Sequence, residues 1–315
     1  MKRVLLIFLL SLVLLPSIVE AQRWKRFRRQ IVVGGGVTNF LGELGGGNST
    51  GRDGIGDLDF AATRPSLLLG YRYQVNNFFF LRSNLQWGIL RGDDQYTEEK
   101  YRKGRNLNFR TGFFELNAMA EFYLIQNAKG NLYRLRGVRG RRGLQMDVYL
   151  FAGIGFMYFN PKTEYQGQWV ALQPLGTEGQ GLPGQDDKYN RTSFTIPYGI
   201  GIGKSLDRYW AINLEFTMRT VFTDYIDDVS GNYYGRQELI EAKGGNSNSD
   251  AVKAGELSDR NIYYQTIGDI SGYEKDTQVE AGGQRGDPSD NDSFMTGMVT
   301  ISRKIVKRRR SRPKF

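Results

Sequence analysis

Apolar and polar residues alternate through eight long segments: Gln30–Phe40, Arg64–Val75, Asn77–Leu90, Asn108–Leu124, Gln145–Phe159, Arg191–Ser205, Tyr209–Thr223 and Asp292–Val306. Successive side chains of a strand point to opposite faces, so a period of two predicts strands with one apolar and one polar face. In the third segment Phe79, Leu81, Leu85, Trp87 and Ile89 share one face, against Phe80, Arg82, Asn84, Gln86 and Gly88. In the seventh, Trp210, Ile212, Leu214, Phe216 and Met218 oppose Asn213, Glu215, Thr217 and Arg219. Every segment has eleven or more residues, whereas strands average about 5–6 residues in soluble proteins and need about 9–11 to cross a membrane. Length and alternation predict an all-β fold: an eight-stranded antiparallel up-and-down transmembrane β-barrel with long extracellular loops, apolar faces toward lipid. On a soluble sheet the same pattern would leave the charged face in water.

The polar faces carry Arg72, Arg82, Glu115, Glu121, Asp147, Glu215 and Arg219. Both signs occur, as a charge network in the barrel interior requires. Eight strands enclose a space just wide enough for side chains, which argues against an aqueous pore. Two short segments of the last loop, Gln237–Ala242 and Asn261–Ile267, would add an outer hairpin and bring the count to ten strands. Tyr73, Trp87, Tyr123, Tyr149, Tyr158, Trp210 and Phe222 fall near strand ends, where interfacial aromatic girdles sit. Tight turns at Val75–Asn77 and Leu206–Arg208 alternate with long connections after the first, third, fifth and seventh strands. Ile125–Leu144 breaks this rule: it falls on the turn side yet has twenty residues.

Met1-Lys2-Arg3, the apolar run Val4–Leu15 and the small-residue site at Ala21 read as a signal peptide over 1–21, with 22–315 as the barrel domain. The run is shorter than the roughly 20 residues of a spanning helix. The 315 residues include no Cys and no His. That excludes disulfides, thiol nucleophiles, Ser-His-Asp triads and most metallohydrolases. No nucleophile–base pair stands out, so the expectation is a non-enzyme without cofactor. Export makes nucleic acid an unsuitable partner.

Charge separates along the chain. Residues 22–30 hold five Lys and Arg, 125–145 six and 303–315 eight, with no acid among them. If the topology holds, all three lie on the periplasmic side, with 22–30 and 307–315 as basic tails. Such a face attracts an acidic protein or anionic outer-membrane lipid. Arg134, Arg136, Arg139, Arg141, Arg142, Lys307, Arg308, Arg309 and Arg310 are the candidate partner-binding residues, for ring or lipoprotein subunits in the periplasm. The last outer connection, Asp224–Asp292, holds fifteen acids against six bases.

The loop Gln168–Gly181 is unusually apolar. Trp169, Leu172, Pro174 and Leu175 would pack over the barrel mouth as a lid or meet a partner. Asp224, Asp227, Asp228 and Asp290 cluster carboxylates at facing strand ends, a weak Ca²⁺ candidate without EF-hand spacing. Arg91-Gly92-Asp93 and Arg285-Gly286-Asp287 are explained by turn chemistry. Gly34-Gly35-Gly36 lacks the Lys and helix of a phosphate loop.

Several motifs carry a resemblance. Asn39-Phe40-Leu41-Gly42-Glu43-Leu44, Arg64-Pro65-Ser66 with Gly70-Tyr71-Arg72-Tyr73, Gly92-Asp93-Asp94, and Phe151-Ala152-Gly153-Ile154-Gly155 with Phe159-Asn160-Pro161-Lys162 are four of them. Leu172-Gln173-Pro174-Leu175-Gly176-Thr177-Glu178-Gly179, Thr223-Asp224-Tyr225 through Gly231, and Arg285-Gly286-Asp287-Pro288 complete the set. Together they are similar to the PorG-type outer-membrane barrels associated with the type IX secretion system, over nearly all of the mature chain. The resemblance implies an eight-stranded barrel tied to a periplasmic ring of that machine, without enzymatic activity. The basic tail after Val306 departs from the compact ending of that family. The rival readings are a surface-binding barrel or adhesin acting through the acidic last loop, a narrow channel, and a lipid-modifying barrel enzyme.

Overall fold

The computed structural model describes residues 27–42, 44, 62–96, 104–126, 146–260, 282–289 and 291–306. Among them, eight strands close into a ring: β1 (Arg29–Leu41), β2 (Arg64–Gln74), β3 (Phe79–Asp93), β4 (Asn108–Ile125), β5 (Asp147–Tyr165), β7 (Thr192–Ser205), β8 (Trp210–Val221) and β9 (Ser293–Ile305). Each pairs antiparallel with its neighbours, and β1 meets β9 along its full length, from Arg29↔Ile305 to Leu41↔Ser293. The short β6 (Gln168–Ala171) folds back on the far end of β5 as a hairpin arm. The two residues of its turn, Gln166 (φ 50°) and Gly167 (φ 77°), both take the left-handed conformation, as a tight hairpin with the twist of its strands demands.

Turn chemistry sets the short end of the barrel. Asn76 Oδ1 accepts from the Phe78 and Phe79 amides at 2.9 and 2.8 Å between β2 and β3. Asp207 Oδ1 does the same for Tyr209 and Trp210, at 2.6 and 2.7 Å, between β7 and β8. Both are side-chain mimics of a backbone turn. The opposite end carries the long connections, among them α1 (Arg236–Ala242) and α2 (Ser249–Ser258). The ten-strand alternative therefore fails at Gln237–Ala242, which is helical. The segment is built of helix formers and turns Leu239 and Ile240 inward, Leu239 packing with Ala254 and Leu257 of α2. Asn261–Ile267 lies outside the described residues.

The wall is apolar outside and polar inside. Ile154 (71 % exposed), Phe194 (66 %), Leu116 (60 %) and Leu214 (59 %) face outward, whereas Arg72, Arg82, Glu115, Glu121, Glu215 and Arg219 are buried. On β4 the bare stretch from Phe114 to Leu124 spans about 25 Å along a tilted strand, the height of a bilayer's apolar band. A closed ring with this surface is a membrane-crossing barrel of the outer-membrane type. No helix among the described residues is long and apolar enough to cross a membrane; the strands do the crossing.

Tyr123 and Tyr149 depart from the girdle expectation. Both point inward and are buried, stacked on each other at 4.7 Å with Phe80, Met119 and Phe151 around them. They share the parity of Glu121 and Phe151, and alternation sets their direction.

The β1–β9 seam depends on small residues. A Cβ on Gly36 would run into the Gly297 carbonyl and sit 2.7 Å from Met298 Cα, whereas one on Gly35 would meet only Leu67 Cδ2, at 3.8 Å. Gly36→Ala is expected to reduce the folded fraction sharply in heat-modifiability gels, and Gly35→Ala to leave it unchanged.

Candidate functional site

The lumen is filled by an ion-pair lattice. Arg82 Nη1 lies 2.6 Å from Glu215 Oε1, and Arg82 Nε lies 3.0 Å from Glu121 Oε1. Arg72 reaches the same two carboxylates, at 2.9 Å to Glu121 Oε2 and 3.4 Å to Glu215 Oε1. Tyr149 Oη donates to Glu215 Oε1 at 2.6 Å, and its ring lies under the Arg72 guanidinium at 5.5 Å. β3 and β8 stand four places apart in the ring of eight, so the Arg82–Glu215 pair crosses the full diameter. A second layer forms nearer the loops. Arg219 Nε pairs with Glu115 Oε2 at 2.8 Å, its Nη1 donates to Thr296 at 2.8 Å, and Thr195 Oγ1 donates to Glu115 Oε1 at 2.7 Å. Asp147 sits apart, half-buried at the turn end of β5.

Above the second layer the loops close the mouth. Phe40, Phe109, Phe113, Phe159, Ile226 and Phe294 belong to a buried apolar cluster under the cap. Leu172 and Leu175 of the mouth loop pack on Leu239 and Leu257, which makes this loop and the two helices one lid. Pro174 and Trp169 remain exposed, with Arg110 over the Trp169 ring at 5.5 Å.

The carboxylates proposed for Ca²⁺ serve other partners. Asp227 accepts from the Leu44 and Val229 amides at 3.2 and 3.0 Å. Asp228, at φ 69° and fully buried, accepts from Thr177 and Tyr189, both at 2.5 Å, with Arg285 Nη2 3.9 Å away. Asp224 is buried, and Asp290 lies outside the described residues. Among the described residues no three acidic groups come together as a metal cage. Arg285 also pairs with Glu178 at 2.7 Å and is buried, so of its Arg-Gly-Asp tripeptide only Asp287 reaches solvent. Beside this knot a cleft of about 460 Å³ opens between the loops, lined by Glu178, Asp186, Tyr225, Tyr233, Tyr234 and Glu238 among others.

At the turn end, Arg29 begins β1, Ile125 ends β4, Asp147 begins β5 and Ile305 ends β9. The three basic segments thus attach at one end of the barrel. Arg134, Arg136, Arg139, Arg141, Arg142, Lys307, Arg308, Arg309 and Arg310 lie outside the described residues, as do the signal segment 1–21 and residues 22–26.

No family model matches the chain, and no curated protein matches it. Among solved structures it is similar to Ail, the attachment invasion locus protein of Yersinia pestis, at 10% identity and TM-score 0.36, covering 89% of this chain and 99% of that one. It is similar also to Outer Membrane Protein W of E. coli, at 14% identity and TM-score 0.35, covering 89% and 99%. For outer membrane protein OprG of Pseudomonas aeruginosa the values are 8%, 0.34, 90% and 98%.

Two predictions come from these clusters. Glu215→Ala strands Arg72 and Arg82 without one of their carboxylates and is expected to cost about 3–5 kcal/mol in urea unfolding, as removal of one partner of a buried pair does. Burial pushes the Asp228 carboxyl up to about 6 against the pull of Arg285. The folded cap therefore holds a proton that the unfolded chain, with an Asp near its ordinary 3.8, has released. Cap stability should fall as pH rises through that window and level off above it. Asp228→Asn should remove this part of the slope, read by hydrogen exchange at Thr177 and Tyr189.

Proposed function

We propose that this protein is a non-enzymatic outer-membrane anchor for a periplasmic secretion assembly of the type IX kind, holding an acidic partner on its basic end. One observation supports the reading: the strand ends at Arg29, Ile125, Asp147 and Ile305, where the sequence segments 22–30, 125–145 and 303–315 with their nineteen Lys and Arg and no acid attach, share one end of the barrel. Short turns of such barrels face the periplasm, and a surface of one sign focuses its field on partners of the other. The motif resemblance to PorG-type barrels supports the secretion role. The ion pair across the lumen speaks against a conducting channel. The absence of Cys and His from the sequence and the mutual pairing of Arg72, Arg82, Glu121 and Glu215 in the lumen support a non-enzymatic role.

A second reading, surface binding through the outer cap, is favoured by the cleft lined by Tyr225, Tyr233, Tyr234 and three carboxylates. Pull-downs from detergent-solubilised outer membranes separate the two. Substituting Arg139, Arg141 and Arg142 with Gln should leave insertion intact and reduce recovery of acidic periplasmic proteins, most visibly at low salt. Unchanged recovery at low and high salt would overturn the docking role. Deleting 236–286 should leave secretion normal, and would abolish function only if the cap is the working surface.

A further inference from the structure

The rim of the wall at the turn end is lopsided. On β4 and β5 the last outward residues are Leu124, Ile125 and Val148, all apolar. On β7 and β1 the last outward positions are Lys204 and Arg29, and on β9 Arg303 is followed by the exposed Ile305; each cation lies one alternation step beyond an exposed isoleucine: Ile202, Ile31 and Ile301. β8, between β7 and β9, ends there in Trp210, and the Arg303 guanidinium lies over its indole at 5.2 Å. In the adjoining turn Arg208 lies over Phe27 at 5.1 Å and Tyr209 at 5.9 Å, and these two rings meet edge to face at 6.0 Å.

Four cations of this arc, Arg29, Lys204, Arg208 and Arg303, have no carboxylate partner among the described residues. Asp207, the carboxylate of the adjoining turn, is engaged by the Tyr209 and Trp210 amides. An aromatic face holds a guanidinium in place and leaves its planar fork of N–H donors free for an oxygen-rich anion. Above the arc the wall is bare aliphatic surface, with Ile202 38 %, Ile212 37 % and Ile301 46 % exposed. A ligand matching both parts carries anionic oxygens at one end and an apolar chain at the other.

The geometry points to a binding site for an anionic phospholipid on the β7–β8–β9–β1 face. Arg208, Arg303, Arg29 and Lys204 take the phosphate oxygens, and Ile202, Ile212 and Ile301 carry an acyl chain. Free phosphate would leave the aliphatic wall unused. Arg29 and Arg303 also belong to the basic segments of the docking face, whereas Lys204 and Arg208 lie outside them, in the wall and the β7–β8 turn, so Arg208 reads the lipid site apart from any docked protein.

The test is native mass spectrometry of the full chain in micelles doped with phosphatidylglycerol or phosphatidylcholine. The wild type should retain phosphatidylglycerol preferentially. A basic side chain at an anionic surface changes affinity by about fivefold. Arg208→Gln should therefore weaken retention by about that factor, and combined Arg29, Lys204, Arg208 and Arg303 to Gln by on the order of a hundredfold or more. Trp210→Leu should weaken retention with every charge in place, while Arg110→Gln, at the loop end, and the Arg139, Arg141 and Arg142 variant should retain lipid as the wild type does. Heat modifiability checks folding, and the single Arg208→Gln turn variant decides the matter if the combined one does not fold. Equal retention of the two lipids, undiminished retention by folded Arg208→Gln, loss in the Arg139, Arg141 and Arg142 variant instead, or displacement by millimolar inorganic phosphate would overturn the assignment.

Discussion

A charge inside a closed ring wrapped in hydrocarbon has no route to water, so it must be neutralised by another charge inside the same ring. The Arg82–Glu215 pair, joining opposite walls, meets that condition most directly. Arg72 and Glu121 complete it from two other strands, and Tyr149 donates the remaining hydrogen bond. Four strands must therefore present their charges at one height. A slip of a single residue in any of them would turn an arginine or glutamate toward lipid, so the lattice fixes register as well as filling space. The Arg219–Glu115 layer repeats the arrangement closer to the loops.

The cap applies the same logic in a wetter setting. Asp228, Arg285 and Glu178 form a buried knot that ties together the loop before β7 and the loop before β9, while Thr177 and Tyr189 add hydroxyl donors. Apolar packing of Leu172 and Leu175 on the helices locks the lid from the outside. The plug beneath it is aromatic. Between lattice and lid, buried side chains of the described residues occupy the lumen.

Alternation made the eight strands and their inward charges legible, because a period of two is a local property. It also held where the girdle expectation set it aside: Tyr123 lies two positions from Glu121 and Tyr149 two from Phe151, and both follow their neighbours inward. The helix at Arg236–Ala242 was hidden because a short apolar stretch suits helix or strand, and its partners Ala254 and Leu257 are fixed only by tertiary packing. The Asp cluster was visible as composition, but its partners Arg285, Thr177 and Tyr189 lie far from it in sequence. Arg29 and Arg303 stood out in the sequence only as members of basic segments, and their grouping with Lys204 was hidden for a related reason. They lie on three different strands, and only the pairing order sets them on one face.

The walls outgrow the membrane. β5 continues seven residues past Tyr158 to Tyr165 before turning into its hairpin arm, which lifts the lid on the order of 15–20 Å above the apolar band at an ordinary strand rise and tilt. The barrel is thus a pedestal. Of the described residues, a visitor from outside would meet two helices and a tyrosine-lined hollow raised above the apolar band, while the greasy shaft that carries them stays out of reach.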